Sequence, residues 1–454
     1  MRLGLFCLIL AAFPIACAPG ASAVTIQQAV SCVPPSTARF VTSVDAGGRF
    51  FRDQRGDPIL IRGDSPWAGL TRWSPDQARL WFDDRERTGF NAAIISLIGA
   101  VANGAPSDDG ATYDGVQPFV DGDVTRWNEP YWQRVDDVMR LACAHGVTVF
   151  LYPIDGWTMT SQFRSAGEEK VRAFTAMVAQ RYGGLPNVVW TAGGDYFAVG
   201  RFENQLFAAM LDTLRAYGST RPFSIQLGYP VSRSTDSPFW RDLVDWDFVY
   251  SYQPVYRAVL DAYHRTPPRP SLLSETNYEG EHNIPGSPVT TSETLRRQVL
   301  WALTSGSPGT FFGSADWQFL PGWEARLDTP AVRQLQAVRD WFAARPWSTL
   351  VPDEGDELVT SGRGTELTRD DPNSSMLGDD WATAARTPDG SWWVVYVPTA
   401  RTLTLRPGVS AVWVDPADAA GPTRPAIIDD GGQTTTPGPN VDDGPDWLLS
   451  ITRG

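Results

Sequence analysis

Lysine is almost missing. A single one, Lys170, stands in 454 residues, so Schiff-base chemistry and a phosphate-binding P-loop lack their central residue. Histidine is nearly as scarce, with only His145, His264 and His282. There is no His-Glu-x-x-His and no clustered Cys or His spacing, so no metal is expected and no organic cofactor is called for. Positive charge is in deficit: 38 Lys and Arg face 52 Asp and Glu, for a net charge of -14. That argues against nucleic acid and against anionic membrane surfaces as partners. Past the first residues no apolar run is long enough to span a membrane.

Cysteine is sparse as well, and two of the four, Cys7 and Cys17, fall in the opening segment. Residues 1–23 read as an export signal: Arg2 gives the positive start, Leu3 to Ile15 the short apolar run, and Ala21-Ser22-Ala23 a small-residue cleavage site. The expected location is therefore secreted or periplasmic. Pro14-Ile15-Ala16-Cys17 approaches a lipoprotein box, with proline where that box has leucine, so lipid anchoring at Cys17 is the alternative. Cleavage leaves Cys32 and Cys143. They either pair in an oxidising compartment, or Cys143 is simply a buried helix residue.

What the chain does have is aromatic residues, 19 Trp, 13 Tyr and 21 Phe. Most must pack a core, but Trp and Tyr also offer flat apolar faces with polar tips, suited to sugar rings. After a tail over 24–44, residues 45–347 alternate short apolar runs with amphipathic helical stretches. The runs fall at 59–62, 92–97, 147–152, 188–190, 223–227, 248–252, 271–273 and 309–312. Strand alternating with helix predicts a parallel sheet, and eight strands fit a closed (β/α)8 TIM barrel, an α/β fold. An open doubly wound sheet is disfavoured because no Gly-rich dinucleotide turn follows the first strand. Past Ser348 helical periodicity stops. Short alternating runs such as 391–397 and 409–414, broken by Gly, Pro and Asp, predict an all-β sandwich over 348–454.

Ligand-binding and catalytic groups of such a barrel sit at the C-terminal ends of its strands. Strand four runs out as Val188-Val189-Trp190-Thr191-Ala192-Gly193-Gly194-Asp195, and strand seven as Ser271-Leu272-Leu273-Ser274-Glu275. Two carboxylates on strand ends form the kind of pair that glycosidic hydrolysis needs: one protonates the leaving oxygen, the other attacks or activates water. Taken singly, Asp195 also fits a helix cap after a Gly-Gly turn, and Glu275 a buried partner for an arginine. Asp64, at the end of strand one, is a candidate for binding substrate hydroxyls, or else a cap of the following turn. Trp67, Trp157, Tyr252 and Trp317 are candidate stacking faces, or else packing. Asp155, Tyr196, Gln253 and Tyr278 complete the expected substrate-binding set, with Tyr278 either a hydrogen-bond partner for Glu275 or else packing in its loop.

Several stretches carry a family resemblance. They are Gly63-Asp64-Ser65-Pro66-Trp67, Arg85 to Asn91, Arg181-Tyr182 leading to Asp195, Ser274-Glu275 with Tyr278-Glu279, and Arg296 through Trp301 to Ser305-Gly306. The chain resembles the apiosidase-like glycoside hydrolases (the family 140 type barrel), which act on polysaccharides. Ala385 to Gly390 and the final Asp446-Trp447 resemble the β-sandwich that usually accompanies that barrel. The resemblance implies a retaining arrangement with Asp195 as acid/base, Glu275 as nucleophile and a carbohydrate substrate. The first turn departs from the family, with Ser65-Pro66 where Thr and a small residue are common. So does the long Gly/Asp-rich segment 100–123, expected to lie over the site. Apiose specificity is thereby left open.

Two other classes compete. Gly63-Asp64-Ser65 mimics the start of a lipase-like block, but a serine esterase needs a histidine base, and no histidine near the end of the chain stands in an Asp-x-x-His pattern. His145 reads as a helix C-terminal residue. A noncatalytic cell-surface protein that only binds glycans would carry the same barrel and sandwich.

Overall fold

The computed structural model describes residues 29–197 and 201–453. The proposed export signal and Cys17 lie outside the described residues. Eight parallel strands form a nearly closed barrel: β1 (Ile61–Asp64), β2 (Ala92–Ser96), β3 (Thr148–Tyr152), β4 (Val188–Tyr196), β5 (Phe223–Leu227), β6 (Asp247–Ser251), β7 (Ser271–Glu275) and β8 (Gly309–Phe312). They neighbour one another in the order β5-β4-β3-β2-β1-β8-β7-β6. The seam between β5 and β6 is bridged by serine side chains. Ser224 Oγ donates to the Trp246 carbonyl at 2.7 Å and Ser234 Oγ to the Ile225 carbonyl at 2.6 Å, while the Phe248 N–H donates to Ser234 Oγ at 3.0 Å. A short antiparallel strand, Val231–Arg233, lies along β6.

Strands β2 and β3 are buried at every position, which is why they read as continuous apolar runs and not as alternation. Their side chains still part to two sides. Ile94 and Phe150 fill the barrel interior with Val189, Phe248, Leu272 and Phe311, while Ala93, Ile95, Val149 and Leu151 face the helices. The first barrel strand lies two residues later than the apolar run suggests. Pro58–Ile59 instead pairs in an antiparallel sheet with Phe51–Asp53, which pairs in turn with Val41–Val44. Val41, Phe51 and Ile59 of that sheet join the interior cluster. Val41 N–H also donates to Oγ1 of Thr148, the first residue of β3, so the small sheet plugs the end of the barrel opposite the strand C-termini.

Helix starts follow their sequence signals. Ser74 and Gln77 form a reciprocal capping box ahead of Pro75, and Thr329 caps the helix Pro330–Ala343. Cys32 and Cys143 are disulfide-bonded, with Cα atoms 6.3 Å apart. The bond ties the N-terminal segment to the helix Glu129–Ala144, and Cys143 is also buried there. No helix among the described residues is long and apolar enough to cross a membrane.

The C-terminal part is two antiparallel sheets, one of six strands and one of three. Strand period two explains how the larger sheet buries both faces. Trp393, Val395 and Val397 pack against Leu403 and Leu405 of the smaller sheet. Trp392, Val394 and Tyr396 pack on barrel-helix residues including Trp301 and Trp341. An ion pair crosses that second interface: Arg296, in the helix Ser292–Thr304, meets Asp446 at 3.0 Å, and both side chains are 0% exposed. Removing one partner strands a buried charge, so Arg296→Ala should cost about 3–5 kcal/mol, read as a lowered denaturation midpoint.

Candidate active site

The site begins with a kink. Pairing of β4 with β5 shifts register between Gly193 and Tyr196, where Gly193, Gly194 and Asp195 all take positive φ, at 80°, 108° and 46°. The two glycines are required sterically: a Cβ on Gly193 would lie 2.0 Å from the Gln226 carbonyl oxygen, and one on Gly194 would lie 2.8 Å from the Trp157 ring. Asp195 itself sits in the left-handed region, which Asp tolerates better than most residues and which often marks a functional position. The kink thus leaves Asp195 at the strand end, partly buried, with Oδ1 meeting no hydrogen-bond partner.

Glu275 closes β7, is nearly fully buried and is surrounded by donors whose directions are fixed. Tyr152 donates to Gln226 Oε1 at 2.9 Å, which turns Gln226 Nε2 to Glu275 Oε2 at 2.6 Å. Trp67 Nε1 donates to the Tyr278 hydroxyl at 2.8 Å, leaving that hydroxyl's own proton for Glu275. Tyr252 donates to Glu275 Oε1 at 3.2 Å, and Tyr250 donates to Tyr252 at 2.9 Å. Tyr250 also meets Asp195. Two tyrosine hydroxyls therefore link the two carboxyls.

Burial pushes Asp195 up to about 6, and burial reinforced by the Asp195 charge pushes Glu275 up to about 8. Two such groups lose their protons as a pair, so between these steps one proton remains. Taken separately, the higher value would leave it on Glu275. The hydrogen bonds argue otherwise. Gln226, Tyr252 and Tyr278 all aim donors at Glu275, and Tyr250 has committed its one proton to Tyr252. The contact between Tyr250 and Asp195 holds the Asp195 carboxyl down when Tyr250 donates; with the Tyr250 proton given to Tyr252, a proton on Asp195 would complete it. With that proton on 195 and a carboxylate at 275, the pair would be able to give a proton on one side of a bond and attack from the other.

Several expected binding residues stand elsewhere or do other work. Asp64 is engaged twice, by Arg85 Nε at 2.6 Å and by the Ser65 N–H at 2.7 Å. Both oxygens are engaged, as the turn-capping reading expects. Asp155 is buried under its own loop. It accepts from Thr158 N–H at 2.7 Å and from Asn103 Nδ2 at 2.8 Å, and so caps one loop and anchors the 100–123 segment instead of facing the cleft. Trp67 is not an open stacking face: it is buried, edge-on to Tyr152 and Trp157, and orients Tyr278. Gln253 is buried with its Oε1 unpartnered. Trp317 is partly buried and donates to Glu281 at 2.8 Å. Tyr252 and Tyr278 gather at Glu275. Trp157 and Tyr196 line a cleft of about 400 Å³ that reaches Asp195. Tyr152 and Gln226, which the sequence places at the ends of β3 and β5, join this cluster without a role assigned from sequence, and Tyr250 joins it unannounced.

No histidine serves Ser65. His145 ends its helix and bonds Glu86, His264 bonds Glu354, and His282 bonds the Ser287 carbonyl. The esterase reading therefore lacks its base.

Solved structures share this architecture. A protein described as a glycoside hydrolase superposes with a TM-score of 0.74 at 18% identity, over 93% of this chain and 99% of that one. A glycoside hydrolase family 5 protein from Bacteroides vulgatus ATCC 8482 gives a TM-score of 0.74 at 20% identity, over 91% and 93%. No curated protein sequence matches significantly. The model of the apiosidase-like catalytic domain matches residues 45–349, and the chain therefore belongs to the apiosidase-like family of glycosidases.

Proposed function

We propose that this glycosidase cleaves a poly- or oligosaccharide by a retaining double displacement, with Asp195 as acid/base and Glu275 as nucleophile. The observation that carries the reading is the asymmetry of hydrogen bonding around two interacting carboxyls: fixed donors surround Glu275, while Asp195 keeps an unpartnered oxygen. In the first step Asp195 protonates the glycosidic oxygen as Glu275 attacks the anomeric carbon, giving a glycosyl ester and a free alcohol. In the second, Asp195 takes a proton from water, which displaces Glu275 and restores both groups. Tyr252, Tyr278 and Gln226 hold the nucleophile ionised and oriented. Trp157 and Tyr196 border the acid.

Proton NMR of the first-formed sugar tests the stereochemistry. Retention of anomeric configuration is expected, and inversion would reassign Glu275 as a base. A panel of furanosides and pyranosides identifies the sugar, and a protein that binds them without turnover is a glycan receptor instead. The pH dependence follows from the pair. Only the singly protonated form works, so kcat/KM should fall below the pair's lower step, about 6, and above its upper step, about 8. A sigmoidal profile with one limb would contradict the division of roles.

We also propose export by the N-terminal signal, into the periplasm or beyond. The Cys32–Cys143 disulfide supports an oxidising destination.

A further inference from the structure

The cleft beside Asp195 is one-sided. Its walls are Trp157, Met159, Arg164, Tyr196 and Phe197, and Glu275 is not among them. On the hydrolase reading above, the sugar bonded to the nucleophile sits over Glu275. Whatever lies past the acid is the departing group, because that is the oxygen Asp195 protonates.

The floor and rim of this cleft are aromatic in an unusual way. Phe197, two residues past Asp195, is 58% exposed, and Tyr229 is 51% exposed. The two rings meet edge to face at 6.1 Å. Phe197 also lies on Gly228, where a Cβ would come within 2.5 Å of the ring. Phe197 is thus supported from beneath and along one edge while its other face stays open to water. Trp157, which also lines the cleft, packs on Gly194 and edges onto Trp67 at 5.5 Å. An exposed large apolar ring held in place beside a reactive carboxyl is a surface awaiting a ring-shaped partner.

We infer that Phe197, braced by Tyr229 and lining the cleft with Trp157, is the stacking platform for the leaving group, and that the enzyme selects substrates whose leaving group is itself a ring, a second sugar residue in the natural case.

The test compares two leaving groups on one sugar. From the panel, the sugar that the wild-type enzyme hydrolyses is prepared as its 4-nitrophenyl glycoside and as its glycosyl fluoride. The first offers a ring to Phe197 and the second a single atom. In Phe197→Ala the KM for the nitrophenyl glycoside should rise about tenfold, the scale of one lost aromatic contact, and at least fivefold more than the KM for the fluoride. Phe197→Trp should restore the wild-type ratio. Tyr229→Ala, which removes only the edge support, should show the same asymmetry at smaller size. Equal shifts for both substrates, or no shift in either, overturn the assignment. Absence of wild-type turnover on every glycoside and fluoride overturns the hydrolytic reading itself, and this assignment with it.

Discussion

Glu275→Gln should abolish turnover, with kcat/KM reduced at least about 10⁴-fold on every substrate, as expected when the group that forms the covalent bond is removed. The shape is kept and the amide oxygen can still accept from Gln226, while the amide N–H2 meets a tyrosine hydroxyl that must turn to accept. Activated leaving groups should not rescue it, because the missing step is attack on carbon and not protonation of oxygen. Stability should move the other way. The buried pair to which Glu275 belongs holds its protons to higher pH than free carboxyls do, with steps at about 6 and about 8. Its stabilising contribution is then full below the ordinary carboxyl values and is lost as pH rises toward 8. The Gln variant, which never ionises, should therefore melt several degrees above the wild type at pH 9 and level with it at pH 4. A variant both inactive and less stable at high pH would place Glu275 in a structural ion pair instead.

The two carboxyls could be found in the sequence because each ends a short apolar run, and a barrel places run-ends around one mouth. The same logic meets a competitor at Asp64 and Asp155. Both stand at the correct end of the barrel, but the residue after each run decides where the side chain turns. Asp64 meets its own next N–H and Arg85, and Asp155 starts a helical turn at Gly156. Local capping competes with the cleft for every short acid, and only three-dimensional neighbours settle it. Tyr250 was hidden for the opposite reason: inside Phe248-Val249-Tyr250-Ser251 it reads as another core residue, and only the closed barrel brings its hydroxyl between Asp195 and Tyr252. The Gly193-Gly194 pair did advertise a kink, since two glycines inside a β-run mark a bulge or a close approach. The sandwich was legible from alternation alone, but its burial against the helix Ser292–Thr304 was not. Both faces of Trp392–Val397 are apolar, a pattern that reveals two partners without identifying them.

Asp195→Asn separates the acid role from mere presence at the site. Asn is the other residue that accepts a left-handed backbone readily, so the kink at φ 46° survives. What is lost is the proton. Natural saccharides, whose leaving alcohols are poor, should lose about 10²–10⁴-fold in kcat/KM, while a 2,4-dinitrophenyl glycoside should lose less than about tenfold in its first step, because that leaving group departs unprotonated. For this activated substrate the basic limb near 8 should disappear, since no proton is left to titrate away. The acidic limb should stay, because Asp195 is already neutral where Glu275 gains its proton and Asn keeps that position uncharged. A large and equal loss on both substrates, with the basic limb unmoved, would take the acid role from Asp195. The protonating group would then have to be sought among the tyrosines that join the two strands.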